Sequence, residues 1–177
     1  MAMVKPVIFQ IVGYQNSGKT TFTLKVLQKL KAMQLKTAVI KHHGHGGKPE
    51  IVKDKDSTRH FLAGADISIV QGEGRLILHA EENEFGLQNQ LKLLSLFNPD
   101  VILIEGYKNE PYPKLLLIRN ANDFELITKL TNIAAVVFGD EELSTALQQE
   151  IPWFTFEEES AADWLVQLLI NCVKKEG

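Results

Sequence analysis

Residues 7–12, Val-Ile-Phe-Gln-Ile-Val, form an almost unbroken apolar run bounded by Pro6 and Gly13, the pattern of a strand buried on both faces of a sheet. From Lys19 the period changes. Val26, Leu27, Leu30 and Met33 fall on one helical face and Lys25, Gln28 and Lys29 on another, which predicts a helix to about Gln34. Residues 37–41 predict a short second strand, and residues 42–55, rich in His, Gly, Lys and Asp with almost nothing to bury, predict a mobile loop. Asp56 or Ser57 can cap a short helix to about Ala63, and residues 67–70 and 75–79 read as a hairpin with its turn at Gly72 and Gly74. Leu87, Leu91 and Leu94 predict a helix that stops at Asn98-Pro99, because proline disfavours helical geometry in the residue before it. Wholly apolar runs at 101–104, 115–118 and 133–138 predict further sheet strands, with a short one near Trp153. The last helix opens on an expected capping box, Ser160 and Asp163, and buries Ala161, Trp164, Leu165, Leu168 and Cys172. Strands that alternate with helices and are apolar throughout predict an α/β fold, a mostly parallel sheet with helices on both faces.

Composition narrows the class. A chain of 177 residues is long enough for one sizeable core and short for two ordinary domains, so one domain is expected. Apolar residues make up 45% and charged residues 23%, the balance of a soluble globular protein. A net charge of -3 supplies no global basic field, which argues against nucleic acid as a partner. Cys172 is alone and cannot form an internal disulfide, and Met-Ala-Met-Val-Lys-Pro has no apolar signal core, so a cytoplasmic protein is expected. No apolar run approaches the roughly 20 residues needed to cross a bilayer.

The chemistry begins where the first strand ends. Gly13, Tyr14, Gln15, Asn16, Ser17, Gly18, Lys19 and Thr20 match the P-loop pattern at every fixed position, with a predicted strand before and a helix after. A triphosphate needs many converging donors, and the backbone N–H groups of such a loop supply them, helped by the helix N-terminus and followed by Thr21. Lys19 is the expected contact to the β and γ phosphates and Thr20 the expected hydroxyl ligand of Mg²⁺. Glu105, at the carboxyl end of the strand 101–104, is the expected acid that holds a metal-bound water or orients the attacking one; the alternative is a strand end kept acidic for solubility. Asp100 stands at the wrong end of the same strand. Asp54 and Asp56 are further candidate metal ligands from the loop after the second strand, against a helix cap at Asp56 and a solvated charge at Asp54. His42, His43 and His45 invite a metal reading, but no cysteine lies nearby and a closed zinc site wants about four fixed ligands. Arg119-Asn120 reads by default as an exposed loop that could reach nucleotide or partner. Asp140, just past the strand 133–138, is placed either to accept from the N1–H and 2-amino group of guanine or to cap a helix near Glu141.

Four blocks together are more specific than any P-loop. They are Gly-Tyr-Gln-Asn-Ser-Gly-Lys-Thr-Thr, Ile-Lys-His-His, Lys-Asp-Lys-Asp-Ser-Thr-Arg-His-Phe-Leu-Ala-Gly-Ala and Asp-Val-Ile-Leu-Ile-Glu-Gly-Tyr-Lys. In this order the sequence resembles the molybdopterin-guanine dinucleotide biosynthesis adaptor protein B family, over residues 7 to about 119. The resemblance implies a P-loop NTPase fold related to the deviant GTPases, GTP and Mg²⁺ as ligands, feeble GTPase activity, a homodimer, and a guanylyltransferase partner that attaches GMP to molybdopterin. It leaves open direct contact with molybdopterin. The Asn-Lys-x-Asp sequence with which many GTPases read guanine is absent, so GTP over ATP comes from the resemblance alone. Two other classes compete: a small-molecule kinase, which would need arginines and a lid, and a metal-delivery GTPase suggested by the histidines.

Overall fold

The strand expected at the start of the chain forms as β1 (Val7–Val12), and five more strands join it in one parallel sheet. The computed structural model describes residues 5–42, 44, 48–49, 56–81, 85–147 and 150–176. These fall into two compact units, one of Met1–Gly44 with Lys92–Gly177 and the other of His45–Leu91. The first carries the P-loop and the whole parallel sheet. Its strands are β1, β2 (Thr37–Lys41), β5 (Val101–Glu105), β6 (Lys114–Ile118), β7 (Ile133–Phe138) and β8 (Trp153–Thr155). They lie in the order β2-β5-β1-β6-β7-β8, and every pairing is parallel. The order reverses around β1, so its carboxyl end, next to those of β5 and β6, is the switch point where open α/β sheets bind ligands.

Helices cover both faces, as the continuous apolar strands require. On one, α1 (Lys19–Ala32) buries Phe22, Val26 and Leu30, and α5 (Ser160–Glu176) buries Ala161, Ala162, Leu165 and Leu169. These pack on Phe9, Ile11, Leu103, Leu115, Leu117 and Val137 of the sheet. On the other, Leu126 and Ile127 of the short α4 (Glu125–Lys129) pack with Val12, Leu116, Ile118, Val136 and Phe138. Among the described residues no helix is long and apolar enough to cross a membrane.

The second unit holds α2 (Asp56–Leu62) and an antiparallel hairpin of β3 (Ile67–Gly72) and β4 (Arg75–Ala80). Its turn is Glu73-Gly74, both with positive φ, and Gly72 pairs with Arg75. That is a two-residue turn of the type whose twist suits a hairpin, so the expected strand gains two residues. Phe61 of α2 stacks on His79 of β4, with ring centroids 5.5 Å apart. A further helix, α3, spans Leu87–Ser95.

Two helix ends depart from the sequence reading. Helix α1 stops at Ala32, because Gln34 takes the left-handed conformation at φ 59° and the Leu35 N–H closes back on Leu30 O at 3.2 Å. The capping box expected at Ser160 and Asp163 does not form. Ser160 Oγ donates to Glu158 Oε2, while the Asp163 carboxylate is drawn to Lys29 of α1 at 2.7 Å, joining the two helices instead of closing one.

Candidate functional site

Gly13 leaves β1 with φ 155°, and a Cβ there would lie 2.6 Å from Ser17 Oγ and 2.8 Å from Leu117 O. Only glycine fits, and the chain turns tightly over the carboxyl end of the sheet. Gly18, at φ 83°, is the residue before α1 and offers no side-chain cap, and the first turn holds no acidic residue. No side chain of the loop or of the helix's own first turn therefore caps the first N–H groups of α1. Lys19 Nζ folds back over the loop, donating to Tyr14 O at 2.6 Å and Gly13 O at 3.3 Å, with Ser17 Oγ at 3.4 Å. Burial lowers its proton affinity and Glu105 raises it; Arg119, Lys41 and Lys108 lower it further. Four cations thus surround one loop.

Register delivers Glu105 to this place. It ends β5 opposite Ile11 of β1, is 6% exposed, and its Oε1 accepts from Thr20 Oγ1 at 2.7 Å. Lys41, paired with Glu105 across β2 and β5, puts its Nζ 3.1 Å from Thr20 Oγ1 and 3.4 Å from Glu105 Oε1. Two hard oxygens therefore converge on a cation, here an ammonium. Such a donor pair fits Mg²⁺, which commonly takes one or two protein oxygens and completes its shell with phosphate and water. Among the described residues no group of three or more His, Cys, Asp or Glu could hold a metal ion.

Arg119, by default an exposed loop residue in the sequence, is held instead. Its Nε and Nη2 bond Asp123 Oδ2 and Oδ1, each at 2.9 Å, and its Nη1 donates to Gln15 O at 2.8 Å. Asn120 caps the 3₁₀ turn Ala121–Asp123. Asp123, 2% exposed, also accepts from the Arg119 N–H at 3.0 Å, and these bonds hold its carboxyl below the usual carboxylate range. Tyr14 donates its hydroxyl to Glu125, which raises its proton affinity. Lys108 Nζ lies 4.6 Å from the centre of the Tyr14 ring.

The remaining candidates lie apart from this cluster or outside the described residues. Asp100 accepts from Lys36 N at 2.7 Å, at the amino end of β5. Asp140 Oδ1 accepts from Glu142 N at 3.1 Å and so caps the 3₁₀ helix Glu141–Ala146. Asp54 lies outside the described residues, as do His43 and His45, and Asp56 opens α2 in the second unit. His42 stacks on Tyr107 at 4.2 Å, a ring contact and not a metal ligand set. Beside Gly18 and Thr21 a cavity of 230 Å³ is lined by Phe22, Lys25, Phe156 and Glu158 among others. Sequence reading missed Lys41 and Lys108 as members of the site, and Phe156 beside it; the blocks Ile-Lys-His-His and Glu-Gly-Tyr-Lys contained the two lysines without assigning them a role, and no motif contained Phe156.

Comparison with known proteins identifies the family. The profile of the family described as molybdopterin guanine dinucleotide synthesis protein B matches residues 8–139. A probable molybdopterin-guanine dinucleotide biosynthesis adapter protein of Bacillus subtilis is 38% identical over 171 residues, 96% of this chain and 97% of the relative. The crystal structure of Bacillus subtilis MobB superposes with a TM-score of 0.79 at 35% identity, covering 91% of this chain and 96% of that one. Helicobacter pylori HypB, solved with nickel, shares the fold at a TM-score of 0.51 and 16% identity, over 97% of this chain and 88% of its own. With a P-loop NTPase fold, a parallel sheet covered on both faces and this match along its length, the chain belongs to the molybdopterin guanine dinucleotide synthesis protein B family.

Proposed function

We propose that the chain is a GTP-binding adaptor that assists the enzyme attaching GMP to molybdopterin. The observation that carries the nucleotide half is the meeting of Thr20, Glu105 and the Lys41 ammonium at the head of α1, where a P-loop needs a metal site. Thr20 and Glu105 would hold Mg²⁺, which would neutralise phosphate charge there. The base would lie in the cavity beside Thr21, with Phe156 as its apolar wall. Asp140, whose second oxygen remains for a ligand, is the proposed reader of guanine. The adaptor half is carried over from the role in the Bacillus subtilis relative's name.

We assign slow hydrolysis to the chain alone. Arg119 is the arginine of the P-loop cluster, and its guanidinium is already matched by the buried Asp123 carboxylate. The homodimer has a surface to use: Ile67, Ile69 and Leu76 share one face of the β3-β4 hairpin, and all three are exposed in the single chain. The test is reconstitution with the partner guanylyltransferase, molybdopterin and γ-labelled GTP, with sedimentation of the chain alone beside it. The chain is expected to raise the yield of guanine dinucleotide and to sediment as a dimer. Stoichiometric transfer of label to a small molecule would instead make it a kinase.

A further inference from the structure

We propose that Lys108 is a phosphate-binding residue of the nucleotide site, and that Gln10, with Lys114, is the positioning residue that holds its loop in place. The inference rests on the nucleotide-site reading above. Gln10 interrupts the apolar run of β1, is fully buried, and has no charged partner. Its Nε2 donates to Gly106 O at 3.0 Å and Tyr107 O at 2.7 Å, the two carbonyls that follow Glu105. Turned the other way, the amide would set its oxygen against both carbonyls, so the orientation is forced; its Oε1 is left without a partner among the described residues. A buried polar side chain that leaves half its capacity unused is costly for a strand. It is explained by what its other half holds.

Lys114 stands opposite Gln10 in the register of β1 and β6, which puts both side chains on one face of the sheet. It too is fully buried, and its ammonium donates to Glu110 O at 2.7 Å. Asn132 Nδ2 donates to Pro111 O at 2.6 Å. Four carbonyls of the segment 106–111 are thus gripped by side chains reaching from the sheet and from the turn before β7. The backbone is bent to suit, with Gly106 at φ 99° and Tyr107 at φ 50°. A Cβ on Gly106 would sit 3.0 Å from that of His42, so the turn has little room to relax.

The product of this clamp is the place of Lys108. Its ammonium rests on the ring of Tyr14, the second residue of the P-loop. Of the cations beside Lys19, Arg119 is matched by Asp123 and Lys41 faces Glu105. The carboxylate near Lys108, Glu125, is already bonded to Lys129 and to the Tyr14 hydroxyl. Lys108 has the face of a ring. Such a contact is weaker than a charge-assisted bond to phosphate, so a triphosphate in the loop would draw the ammonium off the ring by rotation of its own side chain.

The test is calorimetry with a non-hydrolysable GTP analogue and Mg²⁺, with Lys19→Ala as the control for the site. Lys108→Gln should weaken binding about tenfold or more with an unchanged melting temperature, and Lys108→Arg should restore most of it. Gln10→Met should give a similar loss, and the double variant should bind no worse than Lys108→Gln alone, because both act through one contact. If Gln10→Met does not fold, Asn132→Gly, which tolerates φ 59°, releases the same loop. Wild-type affinity in Lys108→Gln while Lys19→Ala fails to bind would overturn the assignment, and so would additive losses in the double variant. Wild-type affinity in Lys19→Ala as well would instead remove the nucleotide-site reading, and the assignment with it.

Discussion

Replacing Asp123 by Asn removes one charge and inverts one donor–acceptor pair in a site with nowhere to adjust. The carboxylate is 2% exposed and accepts three bonds from Arg119, at 3.0, 2.9 and 2.9 Å. Asparagine keeps one acceptor and turns its NH₂ toward a guanidinium that can only donate. Hydrogen bonds to charged groups are worth about 1.5 to 3 kcal/mol. One such bond is lost outright and the pair loses its charge, but the Arg119 side chain is 36% exposed and water screens part of this. A cost of about 2 to 3 kcal/mol follows, or a fall in melting temperature of about 5 to 10 °C for a chain of this size. The pH dependence supplies a second check. The carboxyl is held below its unfolded value of about 3.9, so its contribution is fully present above that value and is lost as pH falls through the lower folded one. Thermal melts of both proteins between about pH 3 and 7 should therefore differ above pH 5 and converge toward the acid end. Equal melting temperatures at neutral pH would refute the reasoning.

Glu105→Gln keeps the shape beside Thr20 and removes the charge, so nucleotide should still bind while Mg²⁺-dependent phosphate release falls; unaffected release would make Glu105 a structural strand end. The purified chain alone should turn over GTP well below the common range of about 1 to 1000 per second, since an arginine supplied by a partner can be worth about 10³ to 10⁵. Fast steady-state release without a partner would contradict this. Asp140→Asn preserves an oxygen for the Glu142 N–H but breaks paired acceptance from guanine, so GTP and ATP affinities should converge with little change in melting temperature. A preserved preference for GTP would rule out Asp140 as the base reader and leave that role to residues that line the cavity itself, such as Thr155 and Glu158.

What the sequence made legible was local. A P-loop is a contiguous pattern with a strand before it and a helix after it, and Glu105 closes an apolar run, so both could be read without knowing which strands are neighbours. Lys41 and Lys108 could not, because each reaches Thr20 or Tyr14 only through the order β2-β5-β1 and the turn after β5. The default reading of Arg119 as an exposed loop residue fails for a related reason: its partner Asp123 closes a 3₁₀ turn too short to leave a hydrophobic period. Competition decided Ser160 and Asp163. The spacing suits a capping box, but Lys29 on α1 offers Asp163 a full charge where its own helix offers a neutral N–H. Gln10 is the one polar residue in the apolar run 7–12, and its bonds to the loop after Glu105 emerge only once β1 and β5 are neighbours.

The central claim is that the P-loop binds a nucleoside triphosphate with Lys19 as its phosphate cation. Calorimetric titration of a non-hydrolysable GTP analogue with Mg²⁺ into the wild-type chain and Lys19→Ala tests it most directly. Lys19 Nζ contacts only neutral oxygens of the loop, so the variant should keep its melting temperature. It should lose affinity by about tenfold or more, the worth of one charge-assisted phosphate contact. Equal affinity in the two proteins, or no binding by the wild type, would contradict the account.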